Sequence, residues 1–233
     1  MLDSKVILVT GASSDIGMSI VEKLLAEGAK VIAHYHSNPI SITNPNLSII
    51  KYDLSKLEDT NILFEEAIAI HGKIEILICC AGLIENKNIL EIETEDMIKI
   101  FSVNLFSHII LMQKVFENMV ERKFGRIISL SSIGVKYAGS KQSVLYSSSK
   151  AALEAVTKSF AKFGAEYNVL SNNIRVGVID TKIHKGKNLE ERKKLIPLQR
   201  LGKPEDISDF VLYLCSSKAG FITGQDFSIS GGE

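Results

Sequence analysis

Short apolar, β-branched runs alternate with segments of helical period along this chain. Val6-Ile-Leu-Val, Val31-Ile-Ala, Leu47-Ser-Ile-Ile, Ile76-Leu-Ile, Ile127-Ile-Ser-Leu and Ile174-Arg-Val have the length and composition of buried strands. Between them the apolar spacing shifts to three and four, predicting helices over about residues 16–27, 57–71, 96–122 and 206–216, and another carrying Tyr146. Gly28 follows the first helix as a C-terminal stop, and Pro204 with Asp206 opens the last one. Strands separated by helices imply a parallel sheet covered on both faces. The predicted fold class is α/β, one domain over residues 1–233, with no internal repeat and no low-complexity tract.

Composition narrows the range of functions. A chain of 233 residues with 45% hydrophobic content can bury a full core. Its 27 basic and 27 acidic residues cancel, leaving no global field to attract nucleic acid or an anionic membrane, so neither partner is expected. No apolar run approaches the roughly 20 residues that span a bilayer. Met-Leu-Asp-Ser-Lys leads into the first strand without a signal-peptide pattern, and the expectation is a soluble, cytoplasmic protein. Cys79, Cys80 and Cys215 are odd in number and lack ligand spacing. Neither a disulfide framework nor a metal site is expected, and all three read as buried small hydrophobes.

Candidate chemistry starts at Tyr146 and Lys150, four residues apart and therefore on one helix face. A free tyrosine, pKa about 10, is protonated at neutral pH, and a nearby cation favours the phenolate and eases proton exchange with a carbonyl or alcohol oxygen. Ser132 ends the apolar run that begins at Arg126 and offers a hydroxyl. An ordinary surface helix would show the same Tyr-Lys spacing. Upstream, Thr10-Gly-Ala-Ser-Ser-Asp-Ile-Gly follows the first strand and opens the first helix, where free N–H groups and the helix dipole can hold a pyrophosphate. Gly11 and Gly17 permit a tight turn and close approach. The pattern is neither Gly-x-Gly-x-x-Gly nor a P-loop, so a plain strand-to-helix turn is the alternative.

Taken in order, these residues resemble the short-chain dehydrogenases/reductases over nearly the whole chain. The likeness is carried by the 10–17 turn, Asp53-Leu54, Ala81-Gly82, Asn104, Ser132, Tyr146, Lys150, Ile179-Asp-Thr181 and the ending Ile222-Thr-Gly-Gln…Gly231-Gly232. Within the family it points to carrier-protein 3-oxoacyl reductases and their relatives with other substrates. The resemblance implies a Rossmann-type doubly wound parallel sheet with a nicotinamide cofactor across the carboxyl ends of the strands. The catalytic group it implies is Asn104, Ser132, Tyr146 and Lys150. Ser132 would hold the substrate oxygen and Tyr146 would exchange its proton. Lys150 would lower the tyrosine pKa and bond the nicotinamide ribose, and Asn104 would support a water feeding protons toward Lys150.

The implied cofactor contacts are Gly11, Ser13, Ser14, Asp15, Ile16 and Gly17 in the first turn, then His36, Ser37 and Asn38 after the second strand. Asp53, Leu54, Ala81 and Gly82 follow, with Tyr146, Lys150, Gly177, Ile179 and Thr181 completing the set. Relatives pair the Tyr146 helix across a symmetric interface, and Ser147, Ser148, Ala151, Ala152 and Ala155 permit close helix packing, so a homotetramer is expected. The implied activity is NADP(H)-dependent interconversion of a ketone and a secondary alcohol, read as reduction of a small or carrier-linked 3-oxoacyl or similar carbonyl substrate. The alternatives are an NAD(P)-dependent dehydrogenase of a sugar or polyol, and a non-catalytic nucleotide-binding regulator.

Four departures from the family pattern involve five positions. Asp15 stands at the middle glycine; its carboxylate either caps the first helix or, facing the phosphates, repels them. Cys79-Cys80 replaces an Asn-Asn pair that ties strands together, Val176 replaces a proline, and Ser230 replaces an acid. After the second strand, His34-Tyr-His-Ser-Asn38 lacks the acid that would bond the ribose of NAD, so NADP(H) is favoured over NAD(H). Ser13 and Ser37 are the phosphate donors; His36 is either an added charge or simply solvated. Between Thr181 and Pro197, where the family has a flap, Lys182, Lys185, Lys187, Arg192, Lys193 and Lys194 outweigh Glu190 and Glu191. That excess suits either an anionic substrate or a solvated helix face. Arg122, Lys123 and Arg126 form a second basic cluster, for carrier docking or for plain surface.

Overall fold

The strands of the computed structural model, which describes residues 2–84, 86–182 and 189–233, are β1 (Val6–Thr10), β2 (Lys30–Tyr35), β3 (Leu47–Lys51), β4 (Ile76–Cys79), β5 (Gly125–Ser132), β6 (Val169–Val176) and β7 (Asp226–Ile229). They form one sheet in the order β3-β2-β1-β4-β5-β6-β7, and every pairing is parallel. The helices are α1 (Asp15–Ala26), α2 (Leu57–His71), α3 (Thr94–Phe101), α4 (Ser107–Glu121), α5 (Val144–Gly164), α6 (Glu190–Leu195) and α7 (Pro204–Cys215).

Period-two alternation explains the layers. Ile7 and Val9 of β1 face one core with Ile20, Val21 and Leu24 of α1 and Ile207, Val211 and Leu214 of α7. Val6 and Leu8 face the opposite core with Leu63 of α2, Leu111, Met112 and Val115 of α4, and Leu153 of α5. The sheet is therefore doubly wound, as the alternating pattern implied. The chain leaves β1 toward β2 and β3 on one side, then crosses to β4 on the other. That reversal opens a crevice at the carboxyl ends of β1 and β4, where ligands bind in such sheets.

Three elements differ from the sequence expectation. β7 and the first half of β6 are strands although Ser171, Asn172, Asn173 and Asp226 are polar. The Asn173 amide donates to Asp226 at 2.9 Å and the Asn172 amide to the Ile222 carbonyl at 2.9 Å, which compensates the burial of these amide nitrogens, whereas Ser171 Oγ and Asn173 Oδ1 are buried without a partner. The helix expected over 96–122 begins at Thr94 and passes through a π turn, Ser102–Phe106, where the Ser107 N–H reaches back to the Ser102 carbonyl. The whole stretch Thr94–Glu121 is long and apolar enough to cross a bilayer by length and composition, contrary to the run-length argument. Ile100, Leu111, Met112, Val115 and Met119 are nevertheless buried in the protein, which makes it a core helix.

Candidate active site

The turn after β1 is shaped by contacts that no larger residue permits. Gly11 has φ +64°, and a Cβ there would lie 2.6 Å from the Ala81 Cα. A Cβ on Gly17 would lie 2.3 Å from the Gly11 oxygen. Glycine thus lets the β1 and β4 loops touch at the crevice. Ser14 caps α1, accepting from the Gly17 N–H at 3.0 Å and donating to the Gly11 carbonyl at 2.9 Å. Asp15 is not the cap. Its carboxylate accepts the Lys182 main-chain N–H at 2.7 Å and lies 3.4 Å from the Lys182 ammonium. The first N–H groups of α1 have no intrahelical acceptor and point at the switch point of the sheet. This glycine cradle with a helix N-terminus fits a dinucleotide pyrophosphate.

Buried side chains beneath the turn replace the ties that Cys79-Cys80 cannot make. The Thr10 hydroxyl accepts the N–H groups of Cys80 and Ala81, both at 3.1 Å, and meets His108 Nε2 at 3.2 Å. His108 Nδ1 lies 3.2 Å from the Asn104 carbonyl. A carbonyl only accepts, so Nδ1 carries the proton and Nε2 takes the Thr10 hydroxyl. Burial pushes His108 down to about 3, keeping it neutral. His34 is also buried, and its pKa is lowered to about 4; Nδ1 accepts from Gly11 N–H at 3.3 Å and Nε2 donates to the Tyr52 carbonyl at 3.0 Å. Cys79 and Cys215 are buried as expected, but Cys80 is half-buried, with its sulfur 3.8 Å from the Ser14 hydroxyl.

Asn104 sits in the π turn, fully buried. Its Oδ1 accepts the Leu83 N–H at 2.7 Å, and its Nδ2 donates to the Leu83 carbonyl and to Ser149 Oγ, each at 3.0 Å. Ser149 in turn donates to the Tyr146 carbonyl at 2.8 Å. The amide therefore straps the loop after β4 to α5. Helix α5 is fixed further along by buried Glu154, which accepts from Ser131 at 2.6 Å and from two Arg175 nitrogens at 2.9 and 2.7 Å.

Ser132, the last residue of β5, accepts the Gly134 N–H at 3.1 Å, and its hydroxyl is close enough to the Tyr146 phenol to favour the phenolate. Lys150, one turn beyond Tyr146, is buried and donates to the Leu130 carbonyl at 2.8 Å, with Nζ 6.0 Å from the Tyr146 ring centre. A Cβ on Gly82 would come within 3.3 Å of that ammonium. Burial lowers Lys150 to about 8. The expected lowering of the Tyr146 pKa by Lys150 is not what the structure has. Burial raises the phenol, partly opposed by the nearby Ser132 hydroxyl, and the ammonium is directed to a main-chain carbonyl.

The remaining sequence-derived positions line the same edge. His36, Ser37 and Asn38 are exposed after β2; Ser37 Oγ lies 3.0 Å from His36 Nδ1, and His36 Nε2 lies 3.8 Å from Asp53. Asp53 Oδ1 accepts from the Ser55 N–H and hydroxyl. Leu54, Ala81 and Ile179 are buried. Gly177 approaches β7 so closely that a Cβ would meet the Ser230 Cα at 2.6 Å, and the Thr181 hydroxyl points back to the Ile179 carbonyl at 3.4 Å. Ser13 and Ile16 are half-buried in the turn.

The basic segments are less free than their composition suggested. Arg192 pairs with Glu233 and Lys193 with Glu190, while Lys185 and Lys187 lie outside the described residues. Arg126 is buried at the amino end of β5, donating to the Gly125 and Asn168 carbonyls and lying 4.6 Å from the Phe124 ring. Ser132 is at the other end of that strand. The Arg122, Lys123 and Arg126 cluster is therefore no docking surface at the site. Sequence reasoning missed Thr10, His34, His108 and Ser149; a histidine four residues after Asn104, on the same helix face, was the available signal for one of them.

Residues 11–233 match the family model described as enoyl-(acyl carrier protein) reductase. The chain is 34% identical to 3-oxoacyl-(acyl-carrier-protein) reductase FabG of Aquifex aeolicus, over 99% of this chain and 98% of the relative. It is 31% identical to acetoacetyl-CoA reductase of an Acinetobacter species, over 100% and 98%. A solved structure described as a short chain dehydrogenase/reductase family protein superposes with TM-score 0.87 at 24% identity, covering 99% of this chain and 97% of its own. Another solved chain reaches TM-score 0.88 at 24% identity, over 100% and 98%.

Proposed function

The chain belongs to the short-chain dehydrogenase/reductase family, and from that membership we propose that it reduces the ketone of a thioester-linked 3-oxoacyl substrate with NADPH. The reductase class acting on carbonyl groups follows from the relatives. The observation that carries the proposal is the Tyr146 phenol with the Ser132 hydroxyl acting on it and the buried Lys150 ammonium 6.0 Å from its ring centre.

Two hydroxyl donors at one site suit an oxygen with two lone pairs. NADPH, when bound, supplies the hydride. Ser132 holds the substrate oxygen, and Tyr146 delivers a proton to it as negative charge builds there. A phenol whose pKa is raised by burial keeps its proton, the form needed for reduction. Lys150, held to the Leu130 carbonyl, presents a cation below the phenol and beside Gly82, where a ribose would lie. Asn104 keeps its side chain for Leu83 and Ser149, so it positions the loop after β4.

The preference for NADPH rests on the exposed, acid-free run His36, Ser37 and Asn38 after β2. The three cysteines are free thiols, in keeping with a reducing cytoplasm. The assembly is a homotetramer; Ser148, Ala151 and Ala155 leave an exposed small-residue strip on α5, although Ser147 of that strip is buried within the subunit. The test is a turnover panel with NADPH and NADH on acetoacetyl-CoA and an acetoacetyl carrier protein, and with NADP+ and NAD+ on sugars and polyols. NADPH-dependent reduction of the thioesters is expected. Turnover confined to the polyols would replace this reading with the dehydrogenase alternative.

A further inference from the structure

Asp15 and Lys182 stand 167 positions apart in sequence and are joined twice, by the 2.7 Å bond from the Lys182 N–H to Oδ2 and by the ammonium 3.4 Å from Oδ1. Ser14 already caps α1, so the helix does not need this carboxylate. An acid at the first residue of α1 adds negative charge at the turn that would receive a pyrophosphate. The other end of the bond lies directly after Thr181, in the loop that follows β6 along the crevice. The Lys182 side chain is 90% exposed against 26% for Asp15, and an ion pair so open to water adds little to stability. Its consequence should therefore appear in cofactor binding.

We propose that Asp15 and Lys182 form a clasp between the phosphate turn and the β6 loop. The carboxylate fixes the main chain beside Thr181, and the ammonium offsets a charge that would otherwise repel the cofactor phosphates. The proposal rests on the reading of the α1 turn as a dinucleotide seat.

Two measurements test it. NADPH dissociation constants are titrated by fluorescence for the wild type, Lys182→Met, Asp15→Asn and the double variant. Lys182→Met weakens binding about fivefold when Asp15 is present and less than about twofold beside Asp15→Asn, a difference that reads the coupling. Equal losses in both backgrounds mean that Lys182 acts on the cofactor directly, and no loss in either means that Asp15 needs no offset; both overturn the electrostatic half. Hydrogen exchange of the cofactor-free protein reads the other half. The Lys182 amide exchanges about tenfold faster in Asp15→Ala and stays slow in Asp15→Asn, where an amide oxygen still accepts. An unchanged rate in Asp15→Ala overturns the clasp. If the wild type binds no NADPH, the dinucleotide reading and the electrostatic half fail together, while exchange still decides the bond.

Discussion

The ammonium of Lys150 lies 2.8 Å from the Leu130 carbonyl oxygen and 6.0 Å from the centre of the Tyr146 ring, so the main chain holds it. Burial lowers its pKa from 10.5 to about 8. The folded state therefore binds this proton less readily than the unfolded state. The resulting penalty is fully present below pH 8 and is relieved as the pH rises from 8 to 10.5. Lys150→Met removes a pH-dependent term of about 3 kcal/mol. Urea unfolding at pH 7 and pH 10 should show wild type gaining on Lys150→Met across that interval; parallel curves would mean that Lys150 is not desolvated.

His108 gives the opposite end of the pH range. Its pKa falls from 6.5 to about 3, so its neutral form is favoured by folding. That contribution is complete above pH 6.5 and is lost as the pH falls toward 3. At pH 5 the loss is about 2 kcal/mol. His108→Gln, which can keep a donor and an acceptor but cannot titrate, should move the acid-unfolding midpoint downward relative to its own stability at pH 7. A midpoint that follows the pH 7 stability change alone would show that His108 does not set the acid limit.

Asn104 makes three side-chain hydrogen bonds in a fully buried setting. Asn104→Ala leaves the Leu83 N–H and carbonyl without their partner and frees Ser149. The expected loss is about 2–3 kcal/mol of stability, together with at least about tenfold in kcat as the loop carrying Gly82 shifts relative to Lys150. Thermal unfolding and steady-state kinetics check the two parts separately. Full kcat with reduced stability would make Asn104 a purely structural strap.

Much of this arrangement is readable from sequence because it depends on periodicity and local spacing. The β1 run announces a strand buried on both faces, and Tyr146 with Lys150 shares a helix face. Ser132 closes its strand as the apolar run suggests. What escapes has no local signature. β7 alternates too many polar groups to stand out, because its partners Asn173 and Arg175 supply the compensation. The π turn changes the pattern by a single residue. Arg126 reads as surface charge until the Asn168 and Gly125 carbonyls are seen to receive it. Asp15 can be ranked as a cap or a repelling charge, but Lys182 is too distant in sequence to enter that choice.

Ser37 tests the cofactor assignment. Its hydroxyl lies 3.0 Å from His36 Nδ1 on an exposed turn, free of any carboxylate of its own. One or two charge-assisted hydrogen bonds, each about 1.5–3 kcal/mol, should make NADPH bind at least about tenfold better than NADH. Ser37→Asp should reverse that order, because the carboxylate accepts from the ribose hydroxyl and repels the phosphate. Titration of both reduced cofactors against both proteins is the check. Equal or tighter NADH binding by the wild type would contradict the assignment and leave the Ser132–Tyr146 chemistry untouched.

The central claim is that Tyr146 passes its proton to an oxygen held by Ser132. It is tested most directly by NADPH-dependent reduction of acetoacetyl-CoA by wild type and Tyr146→Phe, with NADPH affinity measured on the same preparations. The ring packs the same way in both and only the hydroxyl is lost. Turnover should fall by about 10²-fold or more, while the fold and NADPH affinity stay unchanged. A variant that reduces the thioester at close to the wild-type rate would contradict the account.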